Sequence, residues 1–289
     1  QAVKERPNGT SRSRGDAAVR PPRRGNEPVV RDLDLIVVAV ADFRALRPDD
    51  QLVFGARAQQ RPHQRTLRRI IEIKKSVFEN NDKDADRLRS ELKERGVFLL
   101  NLMSSPGSGK TTTLISALNM LKDRLRIAVM EADIDSDVDA RKIKSATGIG
   151  TVQLHTGGMC HLDAEMTRQG LESLDLRETD LVILENVGNL VCPAEFDTGS
   201  CCNVMILSVP EGHDKPLKYP LMFSICDVVL INKIDVAPYF DFNMDECISN
   251  IRKRNPGAKV MPVCAKTGEG VGAFADWLLT EVRRWKNDN

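Results

Sequence analysis

Eight residues constrain this chain more than any others: Ser104-Ser105-Pro106-Gly107-Ser108-Gly109-Lys110-Thr111. They follow the apolar run Val97-Phe98-Leu99-Leu100 and precede the helix-like stretch Thr112-Thr113-Leu114-Ile115-Ser116-Ala117-Leu118. Strand, glycine loop and helix in that order are the context a phosphate cradle requires. Gly107 and Gly109 let backbone N–H groups turn inward at the positive end of a helix, with Ser108 between them and Thr112 beyond. Lys110 is placed to reach terminal phosphates, and the Thr111 hydroxyl to bind Mg²⁺. Ser104 stands where the generic motif has its first glycine.

The base is selected far downstream. Asp227-Val228-Val229-Leu230-Ile231 reads as a compact apolar strand, followed by Asn232-Lys233-Ile234-Asp235. In P-loop GTPases an Asn-Lys-x-Asp turn selects guanine: the Asp235 carboxylate accepts from N1–H and the exocyclic amine, a paired donor edge adenine lacks. Asn232 is expected to hold the loop together, and the Lys233 stem to lie against the base. A second strand, Lys259-Val260-Met261-Pro262-Val263, ends in Cys264-Ala265-Lys266-Thr267-Gly268. That resembles the Ser-Ala-Lys loop covering the other face of guanine, with Cys264 in the serine position. Two such loops, in order after a P-loop, predict GTP and GDP as ligands rather than ATP.

Beyond this loop the strands Arg126–Met130, Leu181–Leu184 and Val204–Val209 alternate with helices over Asp163–Leu174, Met244–Arg254 and Val271–Trp285. Alternation of this kind predicts an α/β fold, a P-loop NTPase whose mainly parallel sheet is covered by helices on both faces, with ligands at the strand C-termini. A helix is expected from about Gln64 to Arg95, where Ile70, Ile73, Val77, Phe78, Ala85, Leu88 and Leu92 recur at helical spacing and Gly96 supplies a stop. Residues 66–289 are therefore read as the nucleotide-binding domain. Residues 1–65 are read as a disordered or atypical extension: rich in Arg, Pro and Gly, with Lys4 the only lysine before Lys74. Within it Leu33–Val40 has the composition of a strand, but nothing in the sequence names its neighbour.

A net charge of +1 gives no reason to expect nucleic-acid binding. No apolar stretch reaches membrane-spanning length and no signal peptide is visible. Seven cysteines without disulfide-scaffold spacing fit a reducing cytoplasm, which leaves several as candidates for metal binding.

Two predicted strand ends carry carboxylates near where Mg²⁺ and a γ-phosphate belong. The first is Glu131-Ala132-Asp133-Ile134-Asp135-Ser136-Asp137-Val138-Asp139. Asp133 is the candidate for contact with Mg²⁺ or the attacking water, Asp139 for a supporting or capping role, and Asp135 and Asp137 for solvated positions. The second is Glu185-Asn186-Val187-Gly188: Glu185 stands where the Walker-B acid belongs, and the Gly188 N–H can meet the γ-phosphate. Nearby lie Cys160-His161 and Cys192, residue types that ligate Zn²⁺ and Ni²⁺. Spacing alone leaves two readings open, a three-residue metal site or buried unliganded cysteines. Cys201-Cys202 reads as strand packing, and His155 and His213 as surface residues without evident partners.

The stretch from about Ile70 to Trp285 resembles the hydrogenase nickel-incorporation GTPases, the HypB family. The resemblance rests on Asn101–Thr111, on His155-Thr156-Gly157-Gly158-Met159-Cys160-His161-Leu162-Asp163-Ala164, and most specifically on Glu185-Asn186-Val187-Gly188-Asn189-Leu190-Val191-Cys192-Pro193-Ala194. Asp214–Pro220 and the guanine loops complete it, and Ser104 is usual in this family. It implies a SIMIBI-class GTPase that delivers nickel during [NiFe]-hydrogenase maturation. It further implies that Cys160, His161 and Cys192 bind Zn²⁺ or Ni²⁺ at a nucleotide-controlled homodimer interface, and that the partners are a nickel-delivery accessory protein and the hydrogenase large subunit. Many members carry an N-terminal Cys-x-x-Cys-Gly-Cys site or a His-rich tract. Here the N-terminal hundred residues hold a single histidine, His63, and no cysteine occurs before Cys160, so nickel handling is expected from the nucleotide domain alone. The nearest rival, the urease accessory GTPases, uses Cys-Pro-His spacing, which Cys160-His161 does not match. A non-catalytic nucleotide-dependent metal scaffold is the rival from another class.

Overall fold

The computed structural model describes residues 35–39, 62–134 and 136–288. Most of the extension expected over residues 1–65, and the solvated role of Asp135, lie outside them. Eight strands form one sheet, every pairing parallel: β1 (Leu35–Ala39), β2 (Phe98–Ser104), β3 (Ile127–Asp133), β4 (Thr151–His155), β5 (Leu181–Glu185), β6 (Cys202–Ser208), β7 (Val228–Asn232) and β8 (Lys259–Pro262). Their spatial order is β1-β4-β3-β5-β2-β6-β7-β8. Parallel strands need long crossovers, and helices that pack back on the sheet bury both its faces. The sequence obeys: β2 is buried at every position, and β7 is an unbroken Val-Val-Leu-Ile-Asn run buried throughout.

On one face Leu114, Leu118 and Leu121 of α2 (Lys110–Leu121) meet Leu278, Leu279 and Val282 of α9 (Val271–Asn287) over the strands. On the other, Leu88 and Leu92 of α1 (Pro62–Arg95) join Met166 and Leu171 of α4 (Ala164–Glu172). Two short helices, α6 (Lys215–Lys218) and α7 (Pro220–Ser224), and then α8 (Met244–Arg254), close the far side, where Met222, Phe223 and Ile251 are buried. The remaining helices, α3 (Val138–Thr147) and α5 (Cys192–Glu195), begin just after the strand ends that matter for chemistry. Among the described residues no helix is long and apolar enough to cross a membrane.

The sequence left the Leu33–Val40 strand without a neighbour. In the structure Leu35–Ala39 pairs with β4, Leu35 opposite Thr151 and Ala39 opposite His155, at the sheet edge. Sheet order is a tertiary property that no local pattern encodes. Strand β2 sits at the centre, so the loop leaving its C-terminal end is flanked by the ends of β5 and β6.

Candidate nucleotide and metal site

The loop after β2 owes its shape to glycine. Gly107 has φ 74° and Gly109 φ 99°, both left-handed, where side chains strain the backbone. Gly109 has a second reason: a Cβ there would lie 2.5 Å from Asn232 Nδ2. That proximity is functional, because Asn232 joins three loops. Its Nδ2 donates to Ser108 O (2.9 Å) and to Thr113 Oγ1 (3.3 Å), while its Oδ1 accepts from Ala265 N (3.1 Å). Lys233, the non-glycine residue of the described set with positive φ, donates from Nζ to Gly107 O at 2.7 Å. The two guanine loops are thus tied to the phosphate loop before any ligand arrives. Asp235 and Lys266 are exposed at their tips, and Cys264 is buried.

Beside the loop lies a cleft of about 470 Å³ whose lining includes Gly107, Lys110, Thr111, Asp133, Asp139 and Lys142. Thr112 and Gly188 also face it. Gly188 packs closely on the loop, since a Cβ there would lie 3.2 Å from Pro106 N. Asp133 is half-buried and its Oδ1 accepts from Ser136 N at 2.9 Å, which ties the turn leading to α3.

Behind the cleft the carboxylates converge. Glu131 and Glu185 sit in register on β3 and β5, and with Asp139 offer oxygens within 4.8 Å of one another. Glu131 is 4% exposed and Glu185 2%. Thr111 Oγ1 donates to Glu185 Oε1 (2.9 Å), whereas Oε2 of each glutamate is buried without a hydrogen-bond partner. Burial pushes Glu131 up to about 8, reinforced by the charge of Glu185. Burial likewise raises Glu185 to about 7 despite Lys110 and the Thr111 hydroxyl. Sequence reading singled out Glu185 but passed over Glu131 as one acid in a run of five. Its distinguishing feature, a place inside a strand flanked by β4 and β5, exists only in the assembled sheet.

Cys160, His161 and Cys192 bring their ligand atoms within 4.8 Å of one another. The two thiols are half-exposed rather than buried, and Cys160 Sγ lies 3.0 Å from Cys192 Sγ. Cys192 opens α5, seven residues after Glu185 ends β5. Cys160 and His161 precede α4, which Asp163 caps by accepting from Met166 N at 2.8 Å. Asn81 of α1, unread in the sequence, joins the two loops: its Oδ1 accepts from Ala164 N (3.0 Å) and its Nδ2 donates to Asp197 O (3.0 Å). His161 stacks on Phe196, ring centres 3.9 Å apart, and its Nδ1 is buried without a partner. Burial holds its pKa below the usual value against the pull of Asp163 and Glu195, favouring the neutral imidazole a metal requires. The hydrogen bond to Cys160 raises the Cys192 thiol. One nitrogen and two sulfurs suit Zn²⁺ or Ni²⁺.

Cys202 is buried and Cys201 Sγ accepts from Leu99 N at 3.5 Å, the strand packing foreseen. His213 and His155 do have partners. His213 Nδ1 accepts from Asn243 N (3.3 Å), its Nε2 lies 3.6 Å from Glu246 Oε2, and its ring meets Phe242 edge-on. His155, opposite Asp133 at the end of β4, is also engaged.

A nucleotide cradle and a thiol–imidazole cluster at neighbouring strand ends agree with what the chain matches. The CobW/HypB/UreG nucleotide-binding domain matches residues 98–262. The hydrogenase maturation factor HypB of Rhizobium leguminosarum bv. viciae is 46% identical over 216 residues, covering 75% of this chain and 72% of that protein. The chain belongs to the HypB family. A crystal structure of HypB from Helicobacter pylori in complex with nickel superposes with a TM-score of 0.67 at 37% identity, over 71% of this chain and 96% of that one. HypB from Archaeoglobus fulgidus gives 0.65 at 32% identity, over 70% and 98%. The P-loop fold, the SIMIBI-type resemblance and the HypB-specific segments read from the sequence all point to this family.

Proposed function

We propose that this chain is a GTP-hydrolysing metallochaperone that assists nickel insertion into [NiFe]-hydrogenase. The observation that carries the reading is covalent proximity. The strand that ends at Glu185, hydrogen-bonded to Thr111 of the phosphate loop, runs on within seven residues to Cys192 of the metal cluster. Whatever moves the Glu185 end moves a metal ligand with it.

GTP sits with its phosphates on Gly107–Thr112, contacted by Lys110, Thr111 and Gly188, and with guanine between Asn232-Lys233-x-Asp235 and Cys264-Ala265-Lys266. The donor set fits Mg²⁺, a hard cation that takes oxygen ligands: hydroxyl and carboxylates abound, and buried carboxylate oxygens of Glu131 and Glu185 lack partners. Thr111 and Asp133 would hold it, with Asp139 and Glu185 behind, and when bound it would supply positive charge to the transferring phosphoryl group. Asp133 also orients the attacking water. No arginine is among the described residues lining the cleft, so turnover of the isolated protein is slow.

Cys160, His161 and Cys192 carry Ni²⁺ as cargo, or Zn²⁺ in its stead. Three ligands leave the shell open to a second copy, and Val191, beside Cys192, is an exposed apolar residue, which supports a homodimer governed by GTP, metal or both. The partners are a nickel-delivery accessory protein and the hydrogenase large subunit, in the cytoplasm.

Titrating Ni²⁺ and Zn²⁺ into protein loaded with GDP, then with a non-hydrolysable GTP analogue, tests this. Affinity or stoichiometry is expected to change with nucleotide, and the change to vanish in Cys160→Ala while GTP binding survives. Identical titrations in both states would remove the switch. Undetectable phosphate release with metal and partner present would favour a non-catalytic scaffold.

A further inference from the structure

The nucleotide reading leaves one charged side chain at the cleft without a task. Lys142 of α3 lines the same cleft as Lys110 of α2. Asp139 and Lys142 are three residues apart, so one helix face presents both. Ala140 and Ile143, on the other face, are buried against the body of the domain.

Its neighbours are occupied elsewhere. Arg141 donates from Nη2 to Asp137 Oδ1 at 2.6 Å, and Lys233 donates to the Gly107 carbonyl. Among the described residues that line the cleft, Lys110 and Lys142 are the basic ones. Lys142 is exposed and lies close enough to Glu185 for its charge to favour the ionised carboxylate. An ammonium on a flexible stem beside a phosphate cradle is suited to a dense, late-arriving negative charge.

We propose that Lys142 contacts the γ-phosphate and makes α3 the element that distinguishes GTP from GDP. This rests on the GTPase reading above and adds the residue that reads the terminal phosphate. Lys110 is fixed in the first turn of α2 and serves both nucleotides. Lys142 sits on a ten-residue helix joined to the Asp133 strand end through Ile134–Asp137, so it gains a partner when the third phosphate is present. In reaching for it, Lys142 carries along Asp139, the one member of the carboxylate cluster that belongs to α3. The same contact places positive charge where it accumulates during phosphoryl transfer.

The test is nucleotide affinity and turnover of Lys142→Gln, with Mg²⁺, using GDP and a non-hydrolysable GTP analogue. The analogue is expected to bind at least about tenfold more weakly while GDP stays within about twofold, and kcat to fall more than KM rises. Lys142→Arg should restore most of the preference for the triphosphate, which a purely structural role would not produce. Equal weakening of both nucleotides, or no change in either, overturns the proposal. If the unaltered protein binds neither nucleotide, the GTPase reading itself fails first.

Discussion

Strands β3 and β5 are neighbours from Ile127 and Leu181 to Glu131 and Glu185, yet the two ends of this pairing treat charge in opposite ways. At the N-terminal end Arg126 and Asp180 precede the paired residues Ile127 and Leu181. Arg126 donates to Asp180 from its backbone N (2.9 Å), Nε (3.2 Å) and Nη2 (2.8 Å), and Lys286 adds a fourth donor at 2.6 Å. The guanidinium beside Asp180 holds its carboxyl well below the usual carboxylate range. At the C-terminal end, Glu131 and Glu185 face one another with two unpartnered oxygens, and both are raised toward neutrality. A saturated charge cluster locks a sheet. An unsaturated one is costly in the empty protein and persists where a cation or phosphate will be bound.

If the open end is built around its ligands, small changes there should be disproportionately severe. Gly109→Ala adds one methyl group at φ 99° into a space 2.5 Å from Asn232 Nδ2. GTP and GDP affinities should both fall at least about 100-fold, by isothermal titration, because loop and guanine turn cannot keep their present bonds. Retained affinity would mean the loop forms only on ligand binding. Asn81→Ala is milder. It removes the amide that joins the Ala164 and Asp197 backbones, so Ni²⁺ affinity should drop about 10-fold with the three ligands intact. Unchanged affinity would show that the two ligand loops hold themselves.

The phosphate loop and the guanine turns were legible because each is a contiguous word whose chemistry is local. The metal cluster was legible only in part: Cys160-His161 and Cys192 stand 32 positions apart, and the family pattern rather than spacing joined them. Asn81 could not be read at all, since its two partners lie 83 and 116 positions away. Lys142 had at most a weak signal, its i, i+3 spacing from Asp139, which matters only once residues 138–147 are known to be a helix. The pairing of Leu35–Ala39 with β4 and the burial of Glu131 depend on strand order, which is decided by how helices pack across the sheet rather than by any stretch of residues.

Two substitutions on the same strand pair should shift stability in opposite directions. Glu131→Gln keeps shape and hydrogen-bonding capacity while removing a buried charge beside Glu185. The metal-free protein is expected to gain about 1–2 kcal/mol in denaturant unfolding at pH 8, while Mg²⁺-dependent GTP binding weakens. A loss of stability would mean that the carboxylate is already satisfied without a cation.

The closed end should respond with the smaller effect and the reverse sign. Asp180→Asn removes the carboxylate that Arg126 and Lys286 share, leaving Arg126 only the exposed Glu178 (3.1 Å), for an expected loss of about 1 kcal/mol at pH 7 and unchanged GTP affinity. The pH dependence follows from the direction of the shift. The unfolded chain titrates near a carboxylate's ordinary pKa of about 3.9, whereas the folded protein keeps Asp180 ionised to lower pH. The stability this residue contributes is therefore fully present above about pH 4 to 5 and is lost as pH falls toward the depressed folded value. Unfolding curves of the wild-type and Asp180→Asn proteins should run a constant distance apart from pH 5 to 7 and converge below about pH 4. A gap that widens on acidification would place the stabilising charge elsewhere than on Asp180. A change in GTP affinity would show that the two ends of the strand pair communicate, contrary to a division between a locked end and an open one.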